Sequence, residues 1–288
     1  MTLSAFAPAK VNLFLHVGPA GQDGYHPICS LMTFADIGDR LSIQAAESPV
    51  FEATGPFAGE LGAENLVVGA AEALLNSVRA PRPPFQLILD KRLPVAAGLG
   101  GGSSDAGAAL RLLRDALDLQ AADETLEAIA AELGSDGVAC LWGKTVVAEG
   151  RGEQMSPAPR MPVLDAVLVN PRVPSSTAAV YRAFDEAGAP GSADRPLLPE
   201  TFENAEELAA LLSLCRNDLQ APAVALNPVI GEVLDTLAGE PEVLLARMSG
   251  SGATCFALCA GDIEAEGLAE RLQSMRPGWW VQRCRLGG

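Results

Sequence analysis

The chain has 288 residues, of which 49% are hydrophobic, so it can build one large domain or two medium ones with substantial cores. Its formal net charge of −16 argues against a nucleic-acid or anionic-membrane partner, because either would require a basic face. No apolar run approaches the ~18 residues of a membrane span, and the N-terminus lacks the basic and apolar regions of a signal peptide.

The first part of the chain predicts strands followed by helices. Strands are expected at Lys10–Val17, Ser30–Phe34, Arg40–Gln44 and Phe85–Leu89, which are rich in strand-forming residues. Helices are expected where apolar residues recur every three or four positions, at Asn65–Ser77, Ser103–Leu117 and Asp123–Leu133. The proline-rich segment Pro81–Pro84 predicts a loop between two of these elements.

The second part begins after Glu153–Pro162, whose three prolines mark the expected domain junction. Two domains are therefore predicted, at residues 1–155 and 156–288. Further strands are expected at Val163–Val169, Cys255–Cys259 and Trp279–Cys284, and helical segments at Ser176–Glu186, Ala205–Leu214, Val224–Leu226, Pro228–Ala238 and Glu264–Met275. This mixture, with strands clustered early, favours an α+β or mixed α/β fold.

The six cysteines are scattered, without the paired spacing of a zinc site. Buried, reduced thiols in a cytoplasmic protein are the expected reading.

The segment Pro94–Leu110 places four glycines, Gly98, Gly100, Gly101 and Gly102, before a predicted helix. Glycines let backbone N–H groups approach a ligand closely, and the helix N-terminus adds free N–H donors and the positive end of a dipole. The segment therefore predicts an anion site, most often for phosphate. It is not a Walker loop, because no lysine follows the glycines, and the dinucleotide fingerprint fails at Ser103. A flexible linker is the alternative.

Two weaker motifs flank this loop in sequence. Lys10 and Asn12 are two residues apart on a predicted strand, so their side chains share one face. Arg247–Ala257 contains a second Gly/Ser turn that leads into a strand. Taken alone, a strand lysine is usually a solvated charge and a Ser-Gly-Ser-Gly turn is usually a hairpin.

In this order, the three segments resemble the three motifs of the GHMP kinases, small-molecule kinases named after galactose, homoserine, mevalonate and phosphomevalonate. The resemblance is closest to the branch that phosphorylates 4-diphosphocytidyl-2-C-methyl-D-erythritol. The segments that carry it are Pro8–Leu13, Asp23–His26, Asp90–Pro94, Gly98–Ser104, Leu133–Asp136, Ala148–Glu153 and Asn217–Leu219. The Gly-Tyr-His part discriminates, because sugar, homoserine and mevalonate kinases need not recognise a cytosine.

The resemblance implies a two-domain α+β fold, with an N-terminal ribosomal-protein-S5-domain-2-like domain, a C-terminal ferredoxin-like α/β domain and the active site in the cleft between them. The implied reaction is ATP-dependent phosphorylation of the 2-hydroxyl of this cytidyl substrate, in non-mevalonate (MEP) isoprenoid precursor biosynthesis. Mg²⁺ is expected to bridge phosphate oxygens, although its protein ligand is not readable from the sequence. The expected partners are small molecules only, and the chain is expected to be a monomer or a homodimer.

The implied catalytic pair is Lys10 and Asp136. Asp136 would accept the proton of the substrate hydroxyl, and Lys10 would steady the developing charge. Without the resemblance, Asp136 would be interpreted as a helix cap. The family usually continues after this aspartate with Val-Pro, whereas Gly137 and Val138 follow here; the lost proline and the added glycine bring the rigidity of Asp136 into question.

The remaining implied site residues fall into two groups. The ATP triphosphate would be wrapped by the loop residues Pro94, Val95, Ala96, Ala97, Gly98, Leu99, Gly100, Gly101, Gly102, Ser103 and Ser104, and Asn65 and Lys91 would line the nucleotide pocket unless they are surface residues. Tyr25 would stack on the cytosine, His26 would hydrogen-bond its edge, Tyr181 would cover its other face, and Asn12 and Thr177 would contact the substrate. His16 is expected to be structural.

Three alternatives stay open at this point. The chain could be another GHMP kinase, of the mevalonate or homoserine type, or a catalytically inactive GHMP-fold protein that binds a ligand as a regulator. A nucleic-acid-binding module is disfavoured by the acidic charge.

Overall fold

The computed structural model describes residues 3–62, 65–78, 84–188 and 191–287. Within them the chain forms ten strands: β1 (Leu3–Val17), β2 (Ile28–Ala45), β3 (Val50–Thr54), β4 (Phe85–Asp90), β5 (Val146–Gly150), β6 (Gln154–Pro157), β7 (Leu164–Asn170), β8 (Val243–Met248), β9 (Cys255–Cys259) and β10 (Trp280–Leu286). The α-helices of the same residues are α1 (Leu66–Ser77), α2 (Gly101–Ala116), α3 (Asp123–Leu133), α4 (Gly137–Trp142), α5 (Thr177–Glu186), α6 (Ala205–Ser213), α7 (Gln220–Leu226), α8 (Val229–Ala238) and α9 (Asp262–Met275).

The predicted helices and strands are all present, but two of the predicted strands form a single strand, β2. Two strands were expected, at Ser30–Phe34 and Arg40–Gln44, and the structure has one continuous strand. Gly38, which lies between the two predicted strands, permits a close backbone approach, because a Cβ atom there would lie 2.1 Å from the carbonyl oxygen of Ala7 on β1.

The sequence reading missed the short elements β3, α4, β5, β6 and β8. One of them, β6, lies inside the predicted junction Glu153–Pro162 and pairs antiparallel with β5, from Val146↔Pro157 to Glu149↔Gln154. The loop predicted at Pro81–Pro84 lies, apart from Pro84, outside the described residues.

The chain divides into two contact units that interleave along the sequence. One comprises Met1–Lys10, Ile37–Val95 and Gly100–Lys144, and the other comprises Val11–Asp36, Ala96–Leu99 and Thr145–Gly288. Within the glycine-rich loop, Ala96–Leu99 belong to the second unit, and the residues before Ala96 and after Leu99 belong to the first. The domain boundary at 155/156 stays a prediction.

The first unit packs helices α1–α4 around a shared apolar core with β4 and the second half of β2. In this unit β3 pairs parallel with β4, as at Phe51↔Leu87, and β4 pairs antiparallel with β2, as at Ile43↔Leu87. Leu41, Leu74, Leu89, Leu110 and Leu113 are fully buried in the core.

The second unit contains an antiparallel sheet in the order β10-β7-β9-β8, together with the β5–β6 hairpin on the first half of β2. Its centre is β7, which pairs with β10 at Val167↔Arg283 and with β9 at Val167↔Ala257. The loop between β8 and β9 therefore projects from the end of two paired strands. None of the helices in the described residues combines the length and apolar character that a membrane crossing requires.

Candidate active site

Lys10 and Asp136 face one another in the first unit. The Lys10 Nζ atom lies 3.4 Å from Asp136 Oδ2, and the two side chains are only 8% and 20% exposed. Asp136 stands at the N-cap position of α4, yet its side chain accepts no hydrogen bond from this helix, all of which is described. The helix-cap interpretation is therefore wrong, and the carboxylate is directed at an ammonium group in a largely desolvated position.

Gly100 brings the first turn of α2 against this pair. It is the N-cap residue of α2 and has a φ of 60°. A Cβ atom at this position would lie 3.0 Å from Lys10 Cε and 3.2 Å from Asp136 Oδ2. Only glycine fits without pressing on the pair, and the free N–H groups of α2 begin beside it. A lysine, a carboxylate and a helix N-terminus thus meet in one place.

Gly137 does not loosen Asp136. A Cβ atom at Gly137 would lie 1.9 Å from the carbonyl oxygen of Ala130, so the missing side chain lets the start of α4 pack on the end of α3. On the other side, the Cβ position of Gly107 in α2 lies 2.7 Å from Leu141 Cα in α4. Close packing on two helices holds the segment that carries Asp136, which answers the question of rigidity raised by its sequence.

Lys91 is buried and not a surface residue. Its Nζ atom lies 2.5 Å from Asp39 Oδ2 and 2.8 Å from Asp105 Oδ2. Burial disfavours the Lys91 ammonium, but the two carboxylates outweigh this and raise its pKa. Burial also raises the pKa of Asp105 to about 7 against the attraction of Lys91. We call these three residues the buried ion cluster.

The buried ion cluster holds the segments that lead into and out of the glycine-rich loop. Asp39 Oδ1 accepts hydrogen bonds from the backbone N–H groups of Arg92 and Leu93, the residues that lead into the loop. Asp105 belongs to α2, which leads out of it. Asp39 and Asp105 could not be selected from the sequence, since only the fold brings them to Lys91. A nucleotide contact from Lys91 stays a prediction.

Asn65 caps a helix. Its Oδ1 atom accepts a hydrogen bond of 2.9 Å from the backbone N–H of Val67, at the start of α1. A contact between Asn65 and a nucleotide stays a prediction.

In the second unit, residues from all three sequence motifs meet. Ser249 Oγ donates to the carbonyl oxygen of Gly98 at 2.9 Å and accepts from the backbone N–H of Asn12 at 3.1 Å. The backbone N–H of Thr254 donates to the carbonyl oxygen of Ala97 at 3.1 Å. The turn between β8 and β9 thus holds the first half of the glycine-rich loop in place, and Ser249 is the residue that links the motifs.

Gly98→Ala is expected to destabilise the protein by about 1–3 kcal/mol, because Gly98 has a φ of 76° and an added Cβ would lie 2.4 Å from the carbonyl oxygen of Ser249. Chemical denaturation measures the loss. The matched control is Gly69→Ala in α1, where the nearest atom would be 3.8 Å away and helix propensity predicts a gain of up to about 1 kcal/mol. Equal stabilities for the two variants would contradict this account of the loop.

The same turn reaches the start of α5. Ser251 Oγ and Thr177 Oγ1 share a hydrogen bond of 2.8 Å, and Ser175 Oγ donates to the carbonyl oxygen of Ser251 at 2.7 Å. Asn217 Nδ2 donates to the carbonyl oxygens of Met248 and Gly250, both at 2.8 Å. Sequence reasoning did not select Ser251 or Ser249 individually, although the Ser-Gly-Ser-Gly pattern contained both.

His26 is positioned by both nitrogens of its ring. Nδ1 lies 2.9 Å from the carbonyl oxygen of Gly18, to which it must donate, and Nε2 lies 3.4 Å from Asp185 Oδ2. The ring packs on Tyr181, with 5.0 Å between the ring centroids. Burial raises the pKa of Tyr181 to about 12, so its phenol is neutral at physiological pH. His26 and Tyr181 therefore act as one packed unit.

Tyr25 lies on an exposed turn beside His26, with 59% of its surface accessible. The guanidinium group of Arg151 covers its ring, with the Cζ atom 4.1 Å from the ring centroid. Tyr25 is thus an exposed aromatic ring with one face in contact with a cationic group.

His16 is structural, as the sequence predicted. Nδ1 donates to the carbonyl oxygen of Asp194 at 2.8 Å, and Nε2 accepts from the backbone N–H of Arg216 at 3.2 Å. Burial lowers the pKa of His16, so the neutral ring joins these two backbone segments.

The family models for the GHMP kinases match this chain in two places. The model of the GHMP kinases N terminal domain matches residues 65–144, and the model of the GHMP kinases C terminal matches residues 195–277. The chain belongs to the GHMP kinase family. The first match contains the glycine-rich loop and Asp136, and the second contains the turn between β8 and β9.

Similar proteins agree with this placement. The chain is 68% identical to the 4-diphosphocytidyl-2-C-methyl-D-erythritol kinase of Caulobacter sp. (strain K31), over 100% of this chain and 99% of that protein. A crystal structure of 4-(cytidine 5′-diphospho)-2C-methyl-D-erythritol kinase, 33% identical, has a TM-score of 0.78 and covers 99% of this chain and 100% of its own. A homoserine kinase from Cytophaga hutchinsonii, at 18% identity and a TM-score of 0.71, covers 98% of this chain and 94% of its own and shares the fold.

These findings confirm the two-domain α+β fold expected for this GHMP kinase, and they make it a phosphotransferase with ATP as its co-substrate.

Proposed function

We propose that this GHMP kinase transfers the γ-phosphoryl group of ATP to the 2-hydroxyl of 4-diphosphocytidyl-2-C-methyl-D-erythritol, a step of non-mevalonate isoprenoid precursor biosynthesis. The observation that carries the chemistry is the Lys10–Asp136 pair beside the N-terminus of α2. The choice of acceptor is supported by full-length similarity to a kinase of that name.

Phosphoryl transfer requires mainly positioning and charge stabilisation from a protein. The backbone N–H groups of the glycine-rich loop and of the first turn of α2 hold the phosphates of ATP. Asp136 accepts the proton of the attacking hydroxyl, and the Lys10 ammonium stabilises the negative charge that develops beside it. Packing of α4 on α2 and α3 keeps the carboxylate in position, so little reorganisation is needed at the moment of transfer.

The cytosine is bound by the residues around His26. Tyr25 supplies a stacking surface, and Tyr181 covers the base from the other side. His26 Nδ1 donates to the carbonyl oxygen of Gly18, so Nε2 is the ring nitrogen left to hydrogen-bond the edge of the cytosine. The Asp185 carboxylate lies 3.4 Å from Nε2 and can accept from the exocyclic amino group of the base. Thr177 and Asn12 bind the remainder of the substrate.

The start of α2 fits a Mg²⁺ ion carried by ATP. Ser104 Oγ is buried there, and its polar neighbour in the described residues is the Cys140 thiol, a weak hydrogen-bonding group. Ser104 would hold the ion together with phosphate oxygens, the usual environment of Mg²⁺ in kinases. When bound, the ion supplies neutralisation of phosphate charge.

The cellular location of the enzyme, its substrate cleft and its oligomeric state also belong to this proposal. The six cysteines, all in described residues, are free and buried, which supports a reducing, cytoplasmic location. A substrate-binding cleft between the two family domains and a monomeric or homodimeric state stay predictions.

An ATP-consumption assay tests the reaction. We expect turnover with 4-diphosphocytidyl-2-C-methyl-D-erythritol and none above background with mevalonate, homoserine or galactose. Turnover of mevalonate or homoserine but not of the cytidyl substrate would replace this proposal with another GHMP kinase activity. ATP binding without turnover of any acceptor would instead indicate a catalytically inactive, ligand-binding regulator.

A further inference from the structure

Arg151 and Tyr25 come together from two distant turns. Arg151 follows β5 in the β5–β6 hairpin, and Tyr25 precedes β2, to which β5 is paired from Ile28↔Gly150 onward. The guanidinium lies over the ring, with Arg151 Cζ 4.1 Å from the ring centroid. A cation at this distance is attracted by the negative face of the aromatic ring.

Asp23 completes the arrangement. One of its carboxylate oxygens accepts from Arg151 Nη2, and the other accepts from the backbone N–H of Tyr25 at 3.1 Å. The hydrogen bond from Tyr25 lowers the pKa of Asp23, so the carboxylate is charged at neutral pH. Asp23 therefore fixes both the backbone of Tyr25 and the guanidinium that covers its ring.

The backbone of Arg151 is held within its own hairpin turn. Its backbone N–H donates to Glu153 Oε2 at 2.6 Å, which holds the turn between Gly150 and Gly152. Without Arg151, Tyr25 would be an exposed side chain on a turn whose preceding residue, Gly24, has a φ of 79°. Such a side chain loses rotational freedom when a ligand stacks on it, and this loss weakens binding.

We propose that Arg151 is a positioning residue for the pyrimidine, holding the Tyr25 ring from one face so that the base stacks on the other. The bound state is then a three-layer stack of guanidinium, phenol ring and base. Arg151 acts through Tyr25 and does not touch the base. The proposal rests on the proposed function, since it assigns the ligand of this ring to a cytidine diphosphate.

Binding of cytidine 5′-diphosphate, measured by calorimetry, tests this role apart from catalysis. Arg151→Gln is expected to raise Kd about fivefold, the size of an exposed cation–π contact. Arg151→Lys keeps the charge but loses the planar group, and an intermediate value is expected. Binding of ATP is expected to be unchanged in both variants.

A double-mutant cycle separates positioning from direct contact. In a Tyr25→Leu background, Arg151→Gln is expected to have no further effect, because the ring on which it acts is gone. The control is Arg195→Gln, since this nearby arginine is engaged by Glu149 and Ser156 and is similarly exposed; it is expected to leave Kd unchanged.

Two results would overturn the proposal. One is an equal Kd for the wild type and Arg151→Gln, and the other is an undiminished effect of Arg151→Gln in the Tyr25→Leu background. Failure of the wild type to phosphorylate the cytidyl substrate would count against the proposed function, whereas the binding cycle is read without any turnover.

Discussion

Asp136→Asn is expected to lower kcat by about 10²- to 10⁴-fold, the usual contribution of a general base. The asparagine keeps the shape of the side chain but cannot accept the hydroxyl proton. The fold is expected to survive, because the Asp136 side chain does not cap the described helix α4 and backbone packing at Gly137 remains. The binding of ATP is expected to stay within about twofold, since its proposed contacts come from the loop and α2.

Steady-state kinetics with the cytidyl substrate, ATP titration and thermal unfolding measure these three quantities. The control is Asp115→Asn, a substitution of the same kind at a carboxylate that is 72% exposed and paired with Arg114. It is expected to change none of them. An Asp136→Asn enzyme within tenfold of the wild-type kcat would exclude Asp136 as the base.

The helices of this chain could be predicted because their signal is local. The helix Asp123–Leu133 was predicted with the bounds that the structure has, and the start of α1 was missed by one residue. Among the strands, Cys255–Cys259 was also predicted with its observed bounds. The strand β8, which pairs with the next strand in the chain, β9, was missed as well. The strand β3 was missed because it depends on a distant partner: Val50–Thr54 pairs with β4, across more than thirty residues of chain. Pairing at that separation leaves little trace in a short window.

The residues of the site could be predicted from the sequence only where they belong to a family motif. Lys10 and Asp136 lie 126 residues apart in sequence, and this spacing predicts no contact. The family resemblance linked them, and in the structure Lys10 Nζ lies 3.4 Å from Asp136 Oδ2. The sequence raised a doubt at Gly137 that packing on Ala130 removes. The contacts of the fully buried Asp39 could not be predicted, because a single aspartate in the sequence carries no sign that it is buried.

Asp39→Ala is expected to destabilise the protein by about 3–5 kcal/mol, the cost of removing one partner from a buried ion pair. Asp39 is fully buried and accepts from Lys91 Nζ and from the backbone N–H groups of Arg92 and Leu93. Its loss leaves two backbone donors without this acceptor and a buried ammonium with one carboxylate instead of two. The affected segment leads into the glycine-rich loop, so ATP binding is expected to weaken as well.

Urea denaturation at pH 7 measures this loss, with two comparisons. Asp90→Ala removes the partner of Arg92, which is 68% exposed, and a loss of only about 0–1 kcal/mol is expected. Asp105→Asn is expected to cost less than Asp39→Ala. Its Oδ1 atom has no partner within the described part of the chain, and burial already keeps the carboxyl partly protonated, with a pKa of about 7.

If Asp39→Ala does not fold, Asp39→Asn provides the measurement, because its amide oxygen can still accept from the two backbone N–H groups. An intermediate loss is then expected. Equal losses for Asp39→Asn and Asp90→Ala would mean that the buried charge contributes nothing beyond its hydrogen bonds. A loss for Asp39→Asn clearly above that of Asp90→Ala would assign the difference to the negative charge of Asp39 beside the ammonium of Lys91.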